Sequence, residues 1–439
     1  MADCDIGLVG LGTMGAALAL NIAEKGFDIA VWNRTGAVTE AFHAGSGDLA
    51  DRITPTESLE SLVAALKRPR AIILMVPAGD PVDQQIAALR PLLDTDDLII
   101  DAGNANFRDT NRRMAGPGAY LGIGVSGGEE GARHGPSIMG GGDPAHWARV
   151  APILTAIAAD YKGTPCATLL GPEGAGHFVK AVHNGIEYAD MQMIAEVYGL
   201  MRDGLGRSAS DIGALFTRWN DGPLASYLVQ ISGQVAATTD PATGVPLLDV
   251  IVDAAGQKGT GRWTAIEAQH LGAPIPVIEA AVAARNISAR RADRQAAEAL
   301  KVLCYSQGFA MLAAAARAFD WDLDMPEVAK VWRAGCIIRS AMLDDMAAAL
   351  AEDPGRDLIF APFFADLLKQ THGPLREVVA TAARHGIAVP ALGSGLAYFD
   401  AMRTARGTAN MIQGQRDFFG LHGFARLDDG TTGQHGPWA

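Results

Sequence analysis

Four polar side chains stand at a spacing that brings them to one face of a predicted helix. They are Lys180, His183, Asn184 and Glu187, at positions i, i+3, i+4 and i+7. A lysine in a closed cleft loses hydration, which lowers its pKa and lets the neutral amine accept a proton. Glu187 could serve as the acid partner, so this face predicts acid–base chemistry. The plainer alternative is a solvated polar stripe on a helix surface.

A glycine-rich turn near the N-terminus indicates a dinucleotide site. It follows an apolar strand, precedes a helical segment and reads Gly10, Leu11, Gly12, Thr13, Met14 and Gly15. Gly10 permits the tight turn, Gly12 lets a pyrophosphate approach the backbone, and Gly15 allows close packing of helix on strand. The helix N-terminus then holds the diphosphate. Such turns also arise for purely structural reasons, but the strand–turn–helix context favours the cofactor.

The end of the next predicted strand distinguishes between the two nicotinamide dinucleotides. An NAD-binding domain carries Asp or Glu there for the ribose hydroxyls, whereas this chain has Asn33, Arg34 and Thr35. Without a carboxylate to repel it, a 2′-phosphate can accept hydrogen bonds from all three residues, including a charge-assisted one from Arg34. The position predicts NADP, and the alternative is a surface arginine that caps a helix.

Three further segments could meet an anionic ligand. Asn104 follows the carboxyl end of a predicted strand, where open α/β sheets bind ligands, although an ordinary Asx turn looks the same. Ser126, Gly127 and Gly128 combine a hydroxyl with backbone N–H groups, which suits a carboxylate or phosphate but also fits a plain loop. Lys258 lies in a glycine-rich loop whose spacing differs from that of a P-loop.

The elements that would position these residues are of two kinds. Of the 439 residues 49% are hydrophobic and 19% charged, a globular composition. The length suffices for two or three domains of about 150 residues each. The first part alternates apolar strands with helices, and the predicted strands are residues 5–9, 28–32, 71–76, 97–101, 121–125 and 167–170. We therefore predict an α/β, Rossmann-type dinucleotide-binding domain with a parallel sheet over residues 1–175.

Helical apolar spacing dominates the sequence that follows. Long stretches rich in Ala, Leu, Met and Glu contain few β-branched runs, which is typical of helices. The clearest are residues 178–202, 273–285, 294–319 and 374–385. They predict an all-α domain over residues 176–414. Residues 415–439 are too polar for a core of their own and are predicted to form a tail that frays or docks elsewhere.

Charge and cysteine content argue against several functions. A formal net charge of −13 would repel phosphate backbones and anionic headgroups, so nucleic-acid and membrane binding are not expected. The 4 cysteines are scattered, and neither metal-ligand spacing nor a GxSxG motif occurs, so we expect no metal and no disulfide framework. No signal peptide or membrane span is evident, and a cytoplasmic protein is expected.

Several motifs in order resemble the decarboxylating 6-phosphogluconate dehydrogenase family, within the β-hydroxyacid dehydrogenase superfamily. The resemblance extends from Gly10 to about His422. Besides the glycine-rich turn, the matching motifs are residues 125–133, 176–180 with 183–188, 255–261 and 415–420. The resemblance implies that NADP oxidises 6-phospho-D-gluconate at C3, that the carboxyl group leaves as CO2, and that D-ribulose 5-phosphate forms without a metal. It also implies roles in the pentose phosphate pathway and in gluconate utilization.

The resemblance assigns roles to single residues. Lys180 would take the C3 hydroxyl proton, and Glu187 would protonate C1 of the enediol left by decarboxylation. The cofactor would contact the glycine-rich turn and residues 33–35, together with Val76, Pro77, Ala78 and Asn104. Many members have a lysine in the loop that here holds Pro77, and proline supplies neither that charge nor a backbone N–H.

Substrate contacts are implied in three groups. The carboxylate end and the hydroxyls would meet Asn104, Ser126, Gly127, Gly128, His183 and Asn184. The phosphate would meet Tyr188, Lys258, Thr260 and Arg285. Arg416 and His422 match tail residues that family members insert into the partner subunit's site, which implies a homodimer with exchanged tails.

Two other functions are compatible with the same residues. A related β-hydroxyacid dehydrogenase or reductase would use the lysine helix on a smaller, unphosphorylated acid and would not need Lys258, Arg285 and Arg416. A non-catalytic NADP-binding regulator would bind the cofactor without turnover and would tolerate the loss of Lys180 and Glu187.

Overall fold

A computed structural model describes residues 4–222, 224–289, 303–319, 323–331, 342–386 and 390–438 of the chain. The chain divides into two units. The first comprises Met1–Val252, Gly256–Val282 and Met411–Ala439, and the second comprises Asp253–Ala255 and Ala283–Asn410. The units divide the chain differently from the predicted domains, whose boundaries stay a prediction.

Short apolar segments form the strands of the first unit. They are β1 Ile6–Val9, β2 Ile29–Trp32, β3 Ile53–Pro55, β4 Ala71–Leu74, β5 Leu98–Asp101, β6 Ala119–Ser126, β7 Ser137–Gly142, β8 Asp160–Tyr161, β9 Thr164–Pro165 and β10 Ala167–Gly171. One 8-stranded sheet has the order β10-β7-β6-β5-β4-β1-β2-β3, while β8 and β9 pair separately. All the predicted strands are present, and the predicted Rossmann-type fold is confirmed.

Two strands of the sheet were missed by the sequence analysis because their residues do not favour strands. β3 ends at Pro55 and β7 ends in consecutive glycines, and both residue types are depleted in strands. β7 runs antiparallel to β6, with Ile123 opposite Gly140. The sheet is therefore mixed, whereas a parallel sheet was predicted.

Helices pack on both faces of this sheet. Those that begin in the first unit are α1 Thr13–Glu24, α2 Gly36–Ala44, α3 Leu59–Ala65, α4 Asp80–Leu89, α5 Phe107–Met114, α6 Gly128–His134, α7 Pro144–Ile157, α8 Ala175–Gly199, α9 Ala209–Asn220, α10 Tyr227–Ala237, α11 Leu247–Val250, α12 Thr260–Leu271 and α13 Pro276–Ser288. Successive residues of β4 alternate between two apolar clusters, because strand side chains point to opposite faces. Ile73 joins the cluster with α1 and α7, and Ile72 joins the cluster with α3 and α4.

The described elements of the second unit are helical. They are α14 Leu303–Phe319, α15 Met325–Val331, α16 Leu343–Glu352, α17 Pro362–Arg384 and α18 Pro390–Arg403, followed by α19 Ala409–Gly420, which ends in the first unit. Phe364, Leu368 and Phe399 are fully buried in their core. The start of the predicted helix 294–319 lies outside the described residues. Within the described ranges, every helix is too short or too polar to span a lipid bilayer.

Candidate active site

Loops after β1, β4 and β5 meet at the carboxyl edge of the sheet. A Cβ on Gly10 would lie 2.4 Å from the carbonyl oxygen of Met75, and one on Gly103 would lie 3.0 Å from that of Val76. Gly10 also has a φ of +101°, which side chains disfavour. Of the predicted cofactor residues near this edge, Thr13, Pro77, Ala78 and Asn104 are exposed, Met14 and Val76 are half-buried, and Leu11 is buried.

The N-terminus of α1 is open at this edge. Gly12 precedes the helix, no side chain caps it, and its first turn contains no acidic residue. A Cβ on Gly12 would meet no atom within 4 Å, whereas one on Gly15 would lie 1.9 Å from the carbonyl oxygen of Gly10. Gly15 is therefore needed for packing, and the space at Gly12 fits a diphosphate held by the helix N–H groups.

The end of β2 is tied to the glycine-rich turn. Oδ1 of Asn33 accepts a hydrogen bond from the backbone N–H of Leu11 at 3.1 Å, and its amide nitrogen donates to the carbonyl oxygen of Thr35 at 3.3 Å. Arg34 is exposed and forms no ion pair with any residue in the described ranges. Its guanidinium therefore fits a 2′-phosphate, as an NADP site requires.

Lys180 is buried on α8, with 6% of its surface exposed. The helix packs closely on β6, since a Cβ on Gly124 would lie 2.4 Å from the Cβ of Lys180. Burial lowers the pKa of Lys180 to about 8, and the negative charge of Glu187 opposes this only in part. Nζ donates a hydrogen bond to Oδ1 of Asn184 at 2.8 Å. The lysine is thus oriented, and a sizeable fraction of it is neutral near neutral pH.

A chain of polar contacts links this helix to two other predicted substrate segments. Oδ1 of Asn184 lies 2.9 Å from Nδ1 of His183, whose Nε2 lies 3.2 Å from Oγ of Ser126. The amide nitrogen of Asn184 donates to Oγ1 of Thr260 at 3.0 Å. Burial and the charge of Lys180 lower the pKa of His183. The structure therefore brings side chains from β6, α8 and α12 together.

Glu187 and Tyr188 lie further along the same helix. Glu187 is half-buried, and its charge acts on both Lys180 and Arg416. Tyr188 is buried with its ring against α12, where a Cβ on Gly261 would lie 2.6 Å from a ring carbon. Glu187, the candidate acid, therefore interacts electrostatically with Lys180, the candidate base.

Two cations lie together beside this group. Partial burial and the charge of Arg416 lower the pKa of Lys258. Arg416 is itself buried, and a Cβ on Gly256 would lie 2.8 Å from its Nη1, so its guanidinium contacts the loop that carries Lys258. Burial also lowers the pKa of Arg416, because it removes water from the positive charge. An anion placed between the two cations would replace that lost solvation and would therefore be stabilised. His422 is half-buried, with its ring edge-on to Phe419 at a centroid distance of 6.0 Å.

The segment predicted as a tail packs on the first unit of its own chain. Its first residues, from Gln415 to Gly420, are the end of α19. Gly127 and Gly128 have φ values of +126° and +61°, and a Cβ on Gly128 would lie 2.1 Å from the carbonyl oxygen of Phe419. The tail therefore contacts the glycine-rich loop that follows β6.

Arg285 belongs to a different unit of the chain from the other predicted phosphate residues. It is buried near the end of α13, with 2% of its surface exposed, and it belongs to the second unit. Its contact with a substrate phosphate therefore stays a prediction.

A buried polar cluster was missed by the sequence analysis. Asp101 is fully buried and accepts hydrogen bonds from Tyr120 at 3.0 Å and from Arg113 at 3.3 Å. His177 is also buried, and its Nδ1 lies 2.7 Å from Oγ1 of Thr110. The cluster holds the loop after β5, the helix α5 and the first turn of α8 in place. Its residues are scattered in the sequence, so no local sequence pattern predicts the cluster.

The fold and the glycine-rich turn define a dinucleotide-binding protein, in which a buried lysine lies among polar and cationic side chains. Residues 5–171 match the NAD binding domain of 6-phosphogluconate dehydrogenase, and residues 176–300 and 294–438 match its C-terminal domain. The chain is 43% identical to the NADP(+)-dependent, decarboxylating 6-phosphogluconate dehydrogenase of Bacillus subtilis, over 98% of each chain. It is 44% identical to the decarboxylating 6-phosphogluconate dehydrogenase of Synechococcus elongatus, again over 98% of each.

A solved structure of a 6-phosphogluconate dehydrogenase also matches this chain. The 6-phosphogluconate dehydrogenase of Plasmodium falciparum, solved in its apo form and with NADP+ or 6-phosphogluconate, is 36% identical with a TM-score of 0.64. The match covers 99% of this chain and 100% of that one. The chain therefore belongs to the 6-phosphogluconate dehydrogenase family, which confirms the resemblance predicted from its motifs.

Proposed function

We propose that this protein catalyses the NADP-dependent oxidative decarboxylation of 6-phospho-D-gluconate to D-ribulose 5-phosphate and CO2. The observation that carries the proposal is the buried Lys180, whose pKa of about 8 suits a base, on the same helix as Glu187. Membership of the 6-phosphogluconate dehydrogenase family supports 6-phospho-D-gluconate as the substrate. The exposed Arg34 supports NADP, and so do the NADP-dependent relative and the NADP+ complex described above.

Lys180 performs the first proton transfer in this proposal. Its neutral amine takes the proton of the C3 hydroxyl. NADP, held at the N-terminus of α1 and by Arg34, would supply the acceptor for the C3 hydride. The resulting ammonium donates a hydrogen bond to the new C3 carbonyl oxygen and stabilises the negative charge that develops there as CO2 leaves. Asn184, which accepts a hydrogen bond from Nζ at 2.8 Å, keeps the amine directed at C3.

Glu187 supplies the last proton in this proposal. Loss of CO2 leaves an enediolate, which becomes an enediol when the Lys180 ammonium returns its proton to the C3 oxygen. A protonated Glu187 then gives its proton to the carbon atom that carried the carboxylate while Lys180 takes the C3 hydroxyl proton, and transfer of that proton from Lys180 to Glu187 restores both residues. Glu187 follows Lys180 by two turns on the same face of α8, so we place it against the same substrate. These steps do not need a metal, since the Lys180 ammonium stabilises the negative charge that develops on the C3 oxygen.

The substrate has two anionic ends, and the site offers two kinds of anion contact. We assign the phosphate to Lys258 and Arg416, because a dianion gains most where two cations are close together. The carboxylate end then faces Ser126, the backbone N–H groups of the adjoining glycines, and His183.

We also propose a homodimer whose tails complete the partner's sites. The single chain places Arg416 beside its own Lys258, and an exchanged tail would make the same contacts with the equivalent residues of a second copy. Two inactive variants, Lys180→Met and Arg416→Ala, distinguish these arrangements when unfolded and refolded together. Exchanged tails restore one intact site in each mixed dimer, so activity returns. Tails that serve their own subunit leave every mixed dimer inactive.

The reaction itself is tested by incubating the purified protein with NADP and 6-phosphogluconate and measuring NADPH and CO2 together. Equal yields of both, abolished in Lys180→Met, are the expected result. NADPH without CO2 would point to a simple hydroxyacid dehydrogenase. Binding of NADP without turnover of the substrate would refute the enzyme and favour a regulator.

A further inference from the structure

The end of the chain closes around one buried carboxylate. Asp417, on α19, has no exposed surface. Its oxygens accept hydrogen bonds from the backbone N–H of Gly423 at 2.8 Å, Nδ1 of His435 at 2.7 Å, the backbone N–H of Gly436 at 2.8 Å and Nε1 of Trp438 at 2.7 Å. Three of these donors come from residues 434–438, which we name the terminal clip.

The clip is anchored at both of its ends. Gln434 and Phe424 exchange backbone hydrogen bonds of 3.0 and 2.8 Å, so the chain turns back on itself between them. At the other end, the ring of Trp438 packs on Phe418 with a centroid distance of 5.3 Å. The clip thus returns to the helix that carries Asp417.

Gly423 connects the clip to both tail residues predicted to meet the substrate. Its N–H donates to Asp417, and its carbonyl oxygen accepts a hydrogen bond from the side chain of Gln413. Oε1 of the same glutamine accepts a hydrogen bond from Nη1 of Arg416 at 2.7 Å. His422 directly precedes Gly423, so the bonds that hold Gly423 also fix the backbone of His422.

The clip also keeps Asp417 from neutralising the positive charge of Arg416. An aspartate next to an arginine in sequence could pair with it and cancel the charge that a phosphate needs. A carboxylate has about four acceptor positions, and the clip and Gly423 supply a donor for each on Asp417. Arg416 instead extends to the loop of Lys258, where Gln413 also accepts a hydrogen bond from the N–H of Gly256 at 3.2 Å.

We infer that the terminal clip is a positioning element for the phosphate end of the substrate. By engaging Asp417 it holds Arg416 and His422 in place and keeps the arginine free of a competing carboxylate. The inference rests on the proposed function and adds residues outside the catalytic group. All of the clip's contacts with Asp417 lie within residues 417–438, so they hold whichever subunit the tail serves.

The test uses Trp438→Phe, which removes the indole N–H but keeps an aromatic ring against Phe418. A second variant ends the chain after Gly433 and removes the clip. The matched control is Trp219→Phe, which is half-buried on α9 and contacts Phe216 rather than the tail. For both clip variants we expect the KM for 6-phosphogluconate to rise about tenfold or more, with kcat and the KM for NADP nearly unchanged. The control should match the wild type.

Two further measurements separate positioning from general stability. Inorganic phosphate should inhibit the clip variants more weakly than the wild type by a similar factor. Turnover of unphosphorylated gluconate, which cannot use the cations, should stay the same. Unchanged KM and phosphate inhibition in both variants would overturn the inference, and so would a parallel loss of every parameter together with the melting temperature.

Failure of the proposed function gives a different pattern. In that case the wild type itself would not turn over 6-phosphogluconate. The clip would then be tested by calorimetric binding of inorganic phosphate to the wild type and to Trp438→Phe. Weaker binding by the variant would uphold the clip, and equal binding would refute it.

Discussion

The pH dependence of the oxidation should report the titration of Lys180. Its pKa is lowered by burial from the ordinary 10.5 to about 8. At about pH 7.5 roughly a quarter of this lysine is neutral, compared with about one in a thousand for an ordinary lysine. Burial therefore raises the neutral fraction of this amine by a factor of about 200 at that pH.

The sign of the effect follows from which form reacts. Only the neutral amine can take the C3 hydroxyl proton, so activity is present above the pKa of Lys180 and is lost as the pH falls below it. We expect kcat/KM for 6-phosphogluconate, measured with saturating NADP, to rise about tenfold per pH unit up to about pH 8 and then to level off. The range below about pH 6.5 is omitted, because the substrate phosphate itself titrates there.

Two variants test whether Lys180 causes this pH dependence. Lys180→Arg keeps the charge but cannot release its proton, so activity should fall by about 100- to 10,000-fold at every pH. Glu187→Gln removes the proposed acid and also the negative charge that raises the pKa of Lys180, so its remaining activity should be low and the rise of that activity with pH should occur at lower pH. A profile that is flat between about pH 6.5 and 9, or one that the arginine variant retains, would refute the role of the lysine as base.

Three further predictions concern the fold and the cofactor. Gly12→Ala should keep the wild-type melting temperature but lose NADP binding, whereas Gly15→Ala, whose Cβ would lie 1.9 Å from a carbonyl oxygen, should lower stability by about 1–3 kcal/mol or more in thermal unfolding. Arg34→Ala should weaken NADP binding by about ten- to a hundredfold and leave NAD binding unchanged in calorimetry; equal losses for both would contradict the 2′-phosphate contact. Arg113→Met leaves the buried Asp101 without its cation and should cost about 3–5 kcal/mol in denaturant unfolding, whereas a neutral effect would show that the pair is dispensable.

Features that depend on neighbouring residues were predictable from the sequence. The glycine-rich turn needs only a strand before it and a helix after it, and the structure has β1, Gly10–Gly15 and α1 in that order. The face formed by Lys180 and Asn184 needs only helical spacing, and the hydrogen bond between them follows from their separation by one turn.

Features that depend on distant residues were not predictable in the same way. The polar side chains of Asp101 and His177 would be placed on a surface by their type, yet both are buried because other elements supply their partners. Asp417 stands in a motif that was recognised for Arg416, but three of its four partners come from the segment that follows Gln434, where the chain turns back.

The burial of Lys180, which lowers its pKa, depends on residues that have no side chain. A Cβ on Gly124 would lie 2.4 Å from the Cβ of Lys180, and one on Gly176 would lie 2.3 Å from the carbonyl oxygen of Met139. A larger residue at either glycine would push α8 away from the sheet, admit water to the amine and return its pKa toward 10.5. In the proposed mechanism the lysine can act as a base only because the glycines let the helix approach, so that chemistry would depend on close packing as much as on charged groups.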